Sequence, residues 1–486
     1  MPVLKPKLRL PLLVTALAAG LVLGLVGCAT PPPPKDALKQ AEQTPPAWVA
    51  PLPHGGQATA LQDWWSQFDD PLLGQLIEQT QAANPTLQQA VARIKQARAQ
   101  ATQAGSAQWP NVNLNAAAQR QRLPLVSGVP TQTLSTASLD AAWEIDLFAR
   151  VRQQRDAAEA RAQASELDWH AARVSLAAEV AQSYVSLRAC ERLTQISAAD
   201  VEAMTRLSQW SSDKLKVGFE STANDALLQA AAADSQNRWL NQRAECDLVV
   251  KALVSLSGRP ELELRAQLAP AFAKLPSSPG LQVAQLPAAT LAQRPDLAAQ
   301  QRQVLAAWSE RGAAEAARYP QLQLGGSISL SALQVSGGPK IDGNGWSFGP
   351  SLSLPIFDAG SRLANADAAQ ARFDESLAGY RAAVLLAVRE VEEALVRLDA
   401  AQQRERYAQS SADGYQRSAV ATAGSWRAGL ASAAELEQAR RLTLNAQSAL
   451  VQVQAARLAA WFSLYKASGG GWQPEASQSI PGGTAL

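Results

Sequence analysis

The chain has 486 residues, 47% of them hydrophobic and 18% charged, which is apolar material for two or three ordinary domains or one long extended architecture and excludes a disordered chain. After residue 27 no stretch approaches the roughly 18 to 20 apolar residues of a membrane helix, so any bilayer crossing has to be made by strands. The formal charge of +2 becomes about −1 if a leader carrying Lys5, Lys7 and Arg9 is removed, leaving no basic field for nucleic acid.

Residues 1–27 read as a lipoprotein signal peptide. A positive start precedes the apolar run Leu10 to Val26, and Leu25-Val26-Gly27-Cys28 places a small residue before a cysteine. Cys28 is the expected lipidation site, because its thiol takes a diacylglycerol and the new amino terminus a further chain, which gives a lasting anchor. An ordinary signal peptide with an incidental cysteine is the alternative. Ala29 follows, so the aspartate that retains lipoproteins at the inner membrane is absent and the outer membrane is favoured. Residues 28–83 are expected to form a lipid-anchored tether and a short helix.

One unit then occurs twice, at an offset of about 210 residues. Asn84-Pro85-Thr86-Leu87 is answered by Arg294-Pro295-Asp296-Leu297, Trp109-Pro110 by Tyr319-Pro320, Gly218 by Gly429, and Leu256-Ser257-Gly258 by Ala467-Ser468-Gly469. The repeats are placed at 84–258 and 294–472, with 259–293 a linker and 473–486 a tail rich in Pro, Gly and Ser.

Each unit opens with a helix, Thr86 to Gln108 in the first, capped by Asn84 with Pro85 at the first helical position. Arg294 is a poor cap in the second copy. Two extended segments follow in each: Asn111 to Arg122 with Leu134 to Leu147, and Gln321 to Leu333 with Gly345 to Ile356. Apolar and polar residues alternate in the first segment of each pair and more loosely in its partner, and the loops carry Gly128-Val129-Pro130 and Gly337-Gly338-Pro339. The strands suit tilted membrane-spanning strands, with Trp109, Trp143, Phe148, Tyr319, Trp346, Phe348 and Phe357 near their ends. A soluble hairpin with core aromatics is the alternative, although it would have no sheet to join.

A long helix comes next in each unit. Neither Gly nor Pro interrupts the chain between Pro130 and Gly218, and no Pro lies between Pro355 and Pro474, so each copy accommodates about 65 to 70 helical residues, roughly 100 Å. Val180, Tyr184, Leu187, Val201, Met204 and Leu207 keep coiled-coil spacing. The chain turns at the tip glycines, Gly218 and Gly429, and returns through a shorter helix, Thr222 to Ser257 in the first copy. Two units supply four strands. Four strands cannot close in lipid without unpaired backbone, so other copies must complete the barrel, and three copies leave a bore wide enough for water and solutes.

From about residue 61 to 472 the sequence resembles the outer-membrane factor family of tripartite efflux systems, the TolC-like channels, in its lipoprotein branch. The resemblance rests on Trp64-Trp65 with Phe68-Asp69-Asp70-Pro71-Leu72, Asn84-Pro85, Trp109-Pro110, Trp143 to Phe148, Arg294-Pro295-Asp296, Leu354 to Gly360, and Gly469-Gly470-Gly471-Trp472, in that order. It implies a mainly α fold with β, in which long antiparallel helical hairpins form a periplasmic α-barrel and four strands join a 12-stranded transmembrane β-barrel. It also implies a homotrimer in the outer membrane that extends into the periplasm and docks to a periplasmic adaptor (membrane fusion protein) and an inner-membrane efflux pump. By the same resemblance Asp225 and Glu435, shortly after the tip glycines, are candidates for the acidic ring of the periplasmic gate, where carboxylates favour cations. A second acidic position is Gln438 here, and the aromatic three residues before the tip, commonly a tyrosine, is Trp426, which cannot accept a hydrogen bond. Both acids equally suit the first turn of a helix.

Cys190 and Cys246 have Gly218 as their midpoint, so in an antiparallel hairpin they stand at one height on facing helices. A disulfide forms if both side chains face inward; two buried free thiols are the alternative. His54 in a Pro/Gly stretch, His170 alone on a helix, and no nucleophile motif, metal spacing or phosphate loop argue against an enzyme, a metal site or a cofactor. The expected function is an outer-membrane exit duct for small molecules. The rival is a periplasmic coiled-coil adaptor or spacer lipoprotein without a pore, which would carry one hairpin flanked by compact β-domains; a passive diffusion pore would have no use for the long helices. Neither the exported compound nor the class of pump is written in the chain.

Overall fold

The computed structural model describes residues 35–42, 48–50, 61–122, 131–277, 291 and 293–472. The leader, Cys28, the loop residues Gly128-Val129-Pro130, His54 and the tail 473–486 lie outside the described residues. In chain order come α1 (Lys35–Ala41), a 3₁₀ segment (Leu61–Phe68), α2 (Pro71–Ala83), α3 (Pro85–Ser106), β1 (Asn111–Gln121), β2 (Gln132–Ile145), α4 (Arg150–Lys216), α5 (Thr222–Ser257), α6 (Glu261–Leu268), a second 3₁₀ turn (Ala269–Ala271), α7 (Pro295–Ala316), β3 (Gln321–Val335), β4 (Lys340–Ser353), α8 (Ser361–Arg427) and α9 (Ala433–Ala467). The fold is mainly helical with one antiparallel sheet, and the order α3-β1-β2-α4-α5 recurs as α7-β3-β4-α8-α9. Both long helices have 67 residues, within the expected span. The strand bounds differ from the expectation at the loops: β2 begins at Gln132 and β4 at Lys340, because backbone pairing continues through polar residues where the apolar alternation has already faded.

The chain divides into two compact units, one of 1–42, 93–166 and 299–381, the other of 43–92, 167–298 and 382–486. The first holds the sheet. Its helical parts pack through buried alanines, Ala157, Ala160 and Ala164 of α4, Ala306 and Ala313 of α7 and Ala369 of α8, since small side chains let helix axes approach. Trp308 meets Phe373 edge-on at 5.1 Å. Arg161 pairs with Glu310, and Arg98 with Glu166 at 2.7 Å.

The second unit has an aromatic core. Trp64 and Phe68 are buried against Trp461 and Phe462 of α9, with ring centroids 5.8 Å (Trp64–Trp461) and 5.2 Å (Phe68–Phe462) apart, which explains the dense aromatics before α2. Asp70 caps α2, accepting from the amides of Leu72 and Leu73, and also accepts the Tyr184 hydroxyl at 2.7 Å. Arg188, fully buried, donates to Glu191 (2.8 Å) and to the Leu268 carbonyl (2.8 Å) and lies over the Tyr184 ring, while its Nε has no partner among the described residues. That set fastens α6, in the segment expected only as linker, onto α4.

The repeat extends to hydrogen bonds. Asn84 accepts from the amides of Thr86 and Leu87 and donates to the Leu256 carbonyl at 2.7 Å. Arg294, at the matching position, donates to the Ala467 carbonyl at 3.1 Å while pairing with Asp296 and Glu390. The poor cap therefore performs the other task of its counterpart, fixing the end of the return helix.

Candidate functional site

Alternation along the four strands, in the order β1-β2-β3-β4, gives the sheet two unlike faces. The register aligns Val112, Ala141, Gly326 and Phe348; then Leu114, Leu139, Ile328 and Trp346; then Ala116, Ala137, Leu330 and Asn344. Trp143-Leu324-Pro350 and Ile145-Leu322-Leu352 continue this face, and Leu114, Ile328, Leu330, Trp346, Phe348 and Leu352 are exposed on it. From Leu322 to Leu330 the apolar band runs about eight residues, roughly 27 Å along the strand at ~3.4 Å per residue. At a tilt of about 40° that is roughly 20 Å of height, close to the apolar band of an outer-membrane barrel. Beyond it lies the polar row Arg120, Thr133, Gln334 and Lys340.

The opposite face is small and polar. Its rows are Asn113, Asp140, Ser327 and Ser347, then Asn115, Ser138, Ser329 and Gly345, then Ala117, Thr136, Ser331 and Gly343. The outer edges of β1 and β4 pair with nothing among the described residues. Pro350 sits on β4 opposite Leu324, at the edge of the four-stranded sheet, where proline is best tolerated.

Glycine is required at the two helical tips. Gly218 has φ +80° and Gly429 φ +75°, and each ends its helix with a paired turn: Phe219 donates to the Lys214 carbonyl at 2.9 Å, and Leu430 to that of Ser425 at 2.8 Å. Ser221 and Ser432 cap the return helices. Glu435 is exposed, and its carboxylate turns back to the Ser432 amide (2.6 Å) and hydroxyl (2.8 Å) in a capping box. The Ser432 amide, then its hydroxyl, hold the Glu435 carboxyl below the usual range.

Asp225 is instead buried, accepting from Gln229 Nε2 at 2.6 Å, with its second oxygen unpartnered among the described residues. Trp426 packs on a cluster of Met204, Leu207, Leu228 and Ala433, its ring edge-on to Trp210 at 4.8 Å. Lys214 Nζ lies 3.5 Å over the Trp210 ring. Gln438 is exposed. Thus of the acidic and aromatic residues predicted for the tip, Asp225 is buried within the protomer, Trp426 is half-buried against the tip cluster, and Glu435 is fully presented to solvent.

Sequence reasoning missed Trp210 and Lys214; the second repeat carries Ala421 where the first has Trp210, so the internal repeat gave no signal for that aromatic. It also missed the inter-hairpin acids: Asp200 of α4 and Glu437 of α9 are both buried, paired with Arg238 (3.1 Å) and Arg441. Burial pushes the Asp200 carboxyl up, opposed by Arg238 and Arg440 and reinforced by Glu437. Cys190 and Cys246 are joined as a disulfide between α4 and α5, with Cα atoms 5.5 Å apart.

No helix among the described residues is long and apolar enough to cross a membrane, and no group of metal-ligating side chains occurs among them. The model of the outer membrane efflux protein family matches residues 76–259 and again 286–470. The chain belongs to the outer membrane efflux protein family. It is 31% identical over 479 residues to the pyoverdine export outer membrane protein OpmQ of Pseudomonas putida, covering 94% of this chain and 97% of that protein. It is also 31% identical over 437 residues to the outer membrane protein OprJ of Pseudomonas aeruginosa, covering 86% and 88%. Among solved structures, that of the outer-membrane channel OprN matches with TM-score 0.76 and 28% identity over 89% of this chain and 98% of that one. The Campylobacter jejuni CmeC channel, 23% identical, has the same fold with TM-score 0.78 over 86% and 90%. Like its relatives, this outer membrane efflux protein is an exit channel of the outer membrane, and its sheet has one apolar and one polar face.

Proposed function

We propose that three copies of this chain close a 12-stranded barrel and form the outer-membrane duct of a tripartite efflux system, receiving small molecules from a periplasmic adaptor and an inner-membrane pump, with no catalytic step of its own. The observation that carries the reading is the four-stranded sheet with one apolar face and two unpaired edges. In hydrocarbon each unpaired backbone group costs several kcal/mol, so the edges of neighbouring copies have to pair. Eight strands would give a bore filled by side chains, whereas twelve leave an aqueous one. Cys28 supplies the lipid anchor, and the tips at Gly218 and Gly429 carry the gate, with Glu435 offering charge at its rim and Asp225 and Trp426 holding the tip helices in place. The repeats 84–258 and 294–472 are the functional modules, joined by 259–293. The relatives' names span pyoverdine export and toluene efflux, so cargo here is assigned as small molecules.

The test is the size of the detergent-extracted protein by light scattering, with its conductance in a planar bilayer. A trimer with weak conductance, rising when Glu435→Gln and Trp426→Ala loosen the tips, is the expected result. A monomer or dimer without conductance overturns the duct.

A further inference from the structure

The polar face of the sheet carries one carboxylate that no cation among the described residues neutralises. Along the described strands its side chains are Asn, Gln, Ser, Thr, Gly, Ala and a few aliphatics near the loop ends, and only two are charged. Glu144, at the end of β2, is paired with Arg150. Asp140 has no ion-pair partner among the described residues, yet its position is built: Asn115 of β1 donates Nδ2 to its Oδ2 at 2.7 Å, Ser138 donates its hydroxyl to the same oxygen at 2.7 Å, and Ser327 stands opposite on β3. A donor from the neighbouring strand and one from its own thus hold the carboxylate in one place, and on the same face Gly325 of β3 and Gly349 of β4 look onto open space.

The geometry points to Asp140 as a selectivity-determining residue inside the barrel, its three copies forming an acidic ring that passes cationic and neutral solutes in preference to anions. The inference rests on the trimeric duct proposed above and names the charge class of its cargo. An ionised carboxylate is tolerated mid-strand only where water reaches it, so its face is the lumen. Fixed charges of one sign within low-dielectric walls concentrate counter-ions and repel co-ions, and three on one level act together. The ring is distinct from Asp225 and Glu435 near the helical tips, of which the second test variant removes the exposed one.

Wild-type protein, Asp140→Asn, Glu435→Gln and the double variant are compared in planar bilayers under a KCl gradient, reading the K⁺/Cl⁻ permeability ratio from the reversal potential. The ratio is expected to exceed one in wild type, to stay above one in Glu435→Gln, and to fall by a further factor of about three when Asp140→Asn is added to either. The Asp140→Cys variant is then exposed to membrane-impermeant thiol reagents. A positively charged reagent is expected to react and to change the conductance, whereas a residue facing lipid would not react. A conducting trimer whose selectivity ignores residue 140 in both backgrounds, or whose Asp140→Cys variant is inert to the reagent, overturns this inference and leaves the duct standing. Protein that neither assembles nor conducts takes both down.

Discussion

At the scale of single residues, the buried charges show what the fold tolerates and why. Arg188 and Arg294 are buried, yet the hydrogen bonds they donate end on carboxylates and carbonyls, so truncating either leaves acceptors and a carboxylate without their cation. Arg294→Ala is expected to destabilise its unit by about 3 kcal/mol, and Arg294→Lys to restore only part, because the ammonium cannot serve Asp296, Glu390 and Ala467 together; thermal unfolding followed by circular dichroism measures both. Asp200 behaves oppositely. Its folded-state carboxyl lies above the ordinary 3.8, burial being the largest cause, so the native state binds the proton more tightly than the unfolded one. The stability gained from that proton is complete below 3.8 and lost as pH rises through the raised value. Asp200→Asn should therefore lift the melting temperature at neutral pH by a few degrees, with the gain vanishing below about pH 4. A loss at neutral pH would mean that the Arg238 pairing, and not the cost of burial, sets the site. The cap role of Asn84 was readable from its place before Pro85, whereas the duty of Arg294 was not: its partners, Glu390 and Ala467, are remote in sequence and reach it only through the packing of the second unit.

At the scale of elements, what was legible is what local physics decides. The lack of Pro, and in the first copy of Gly as well, predicted both 67-residue helices, and alternation located β1 and β3 to within two residues, whereas the looser pattern of their partners missed the start of β4 by five. The facing of the tip residues escaped, because periodicity tells which residues share a stripe but not which partner covers it. Asp225, offered to a ring of charge by resemblance, lies under Gln229, and Trp426 lies on Trp210, a contact between two hairpins that no local pattern encodes. The Cys190–Cys246 bridge joins α4 to α5 across a separation of 56 residues. Closing a loop of that size in the unfolded chain is worth about 2–4 kcal/mol. Cys190→Ser with Cys246→Ser should thus speed amide exchange along α4 and α5 while leaving α8 and α9 unchanged, as hydrogen-exchange mass spectrometry would read. Uniform acceleration in both hairpins would show that they open as one unit.

At the scale of the whole molecule, the sheet decides what the chain can be. A soluble protein would cover Leu114, Ile328, Trp346 and Phe348, and here they stand exposed on one face while serines, asparagines and glycines hold the other. The two faces must therefore answer differently to the same charge at the same depth. Ile328 and Ser327 are neighbours on β3, with Ile328 in the row of Leu139 and Trp346 and Ser327 in the row of Asp140 and Ser347. Ile328→Arg puts a guanidinium into hydrocarbon, at a cost of about 2–4 kcal/mol per copy near the midplane and about three times that in a trimer. Ser327→Arg puts it in water. The first is expected to abolish assembled protein in outer-membrane fractions, and the second to assemble with altered conductance and weaker cation preference beside Asp140. Equal tolerance of both would mean that the apolar face meets protein in place of lipid, and the sheet would then belong to a packed interface and not to a barrel.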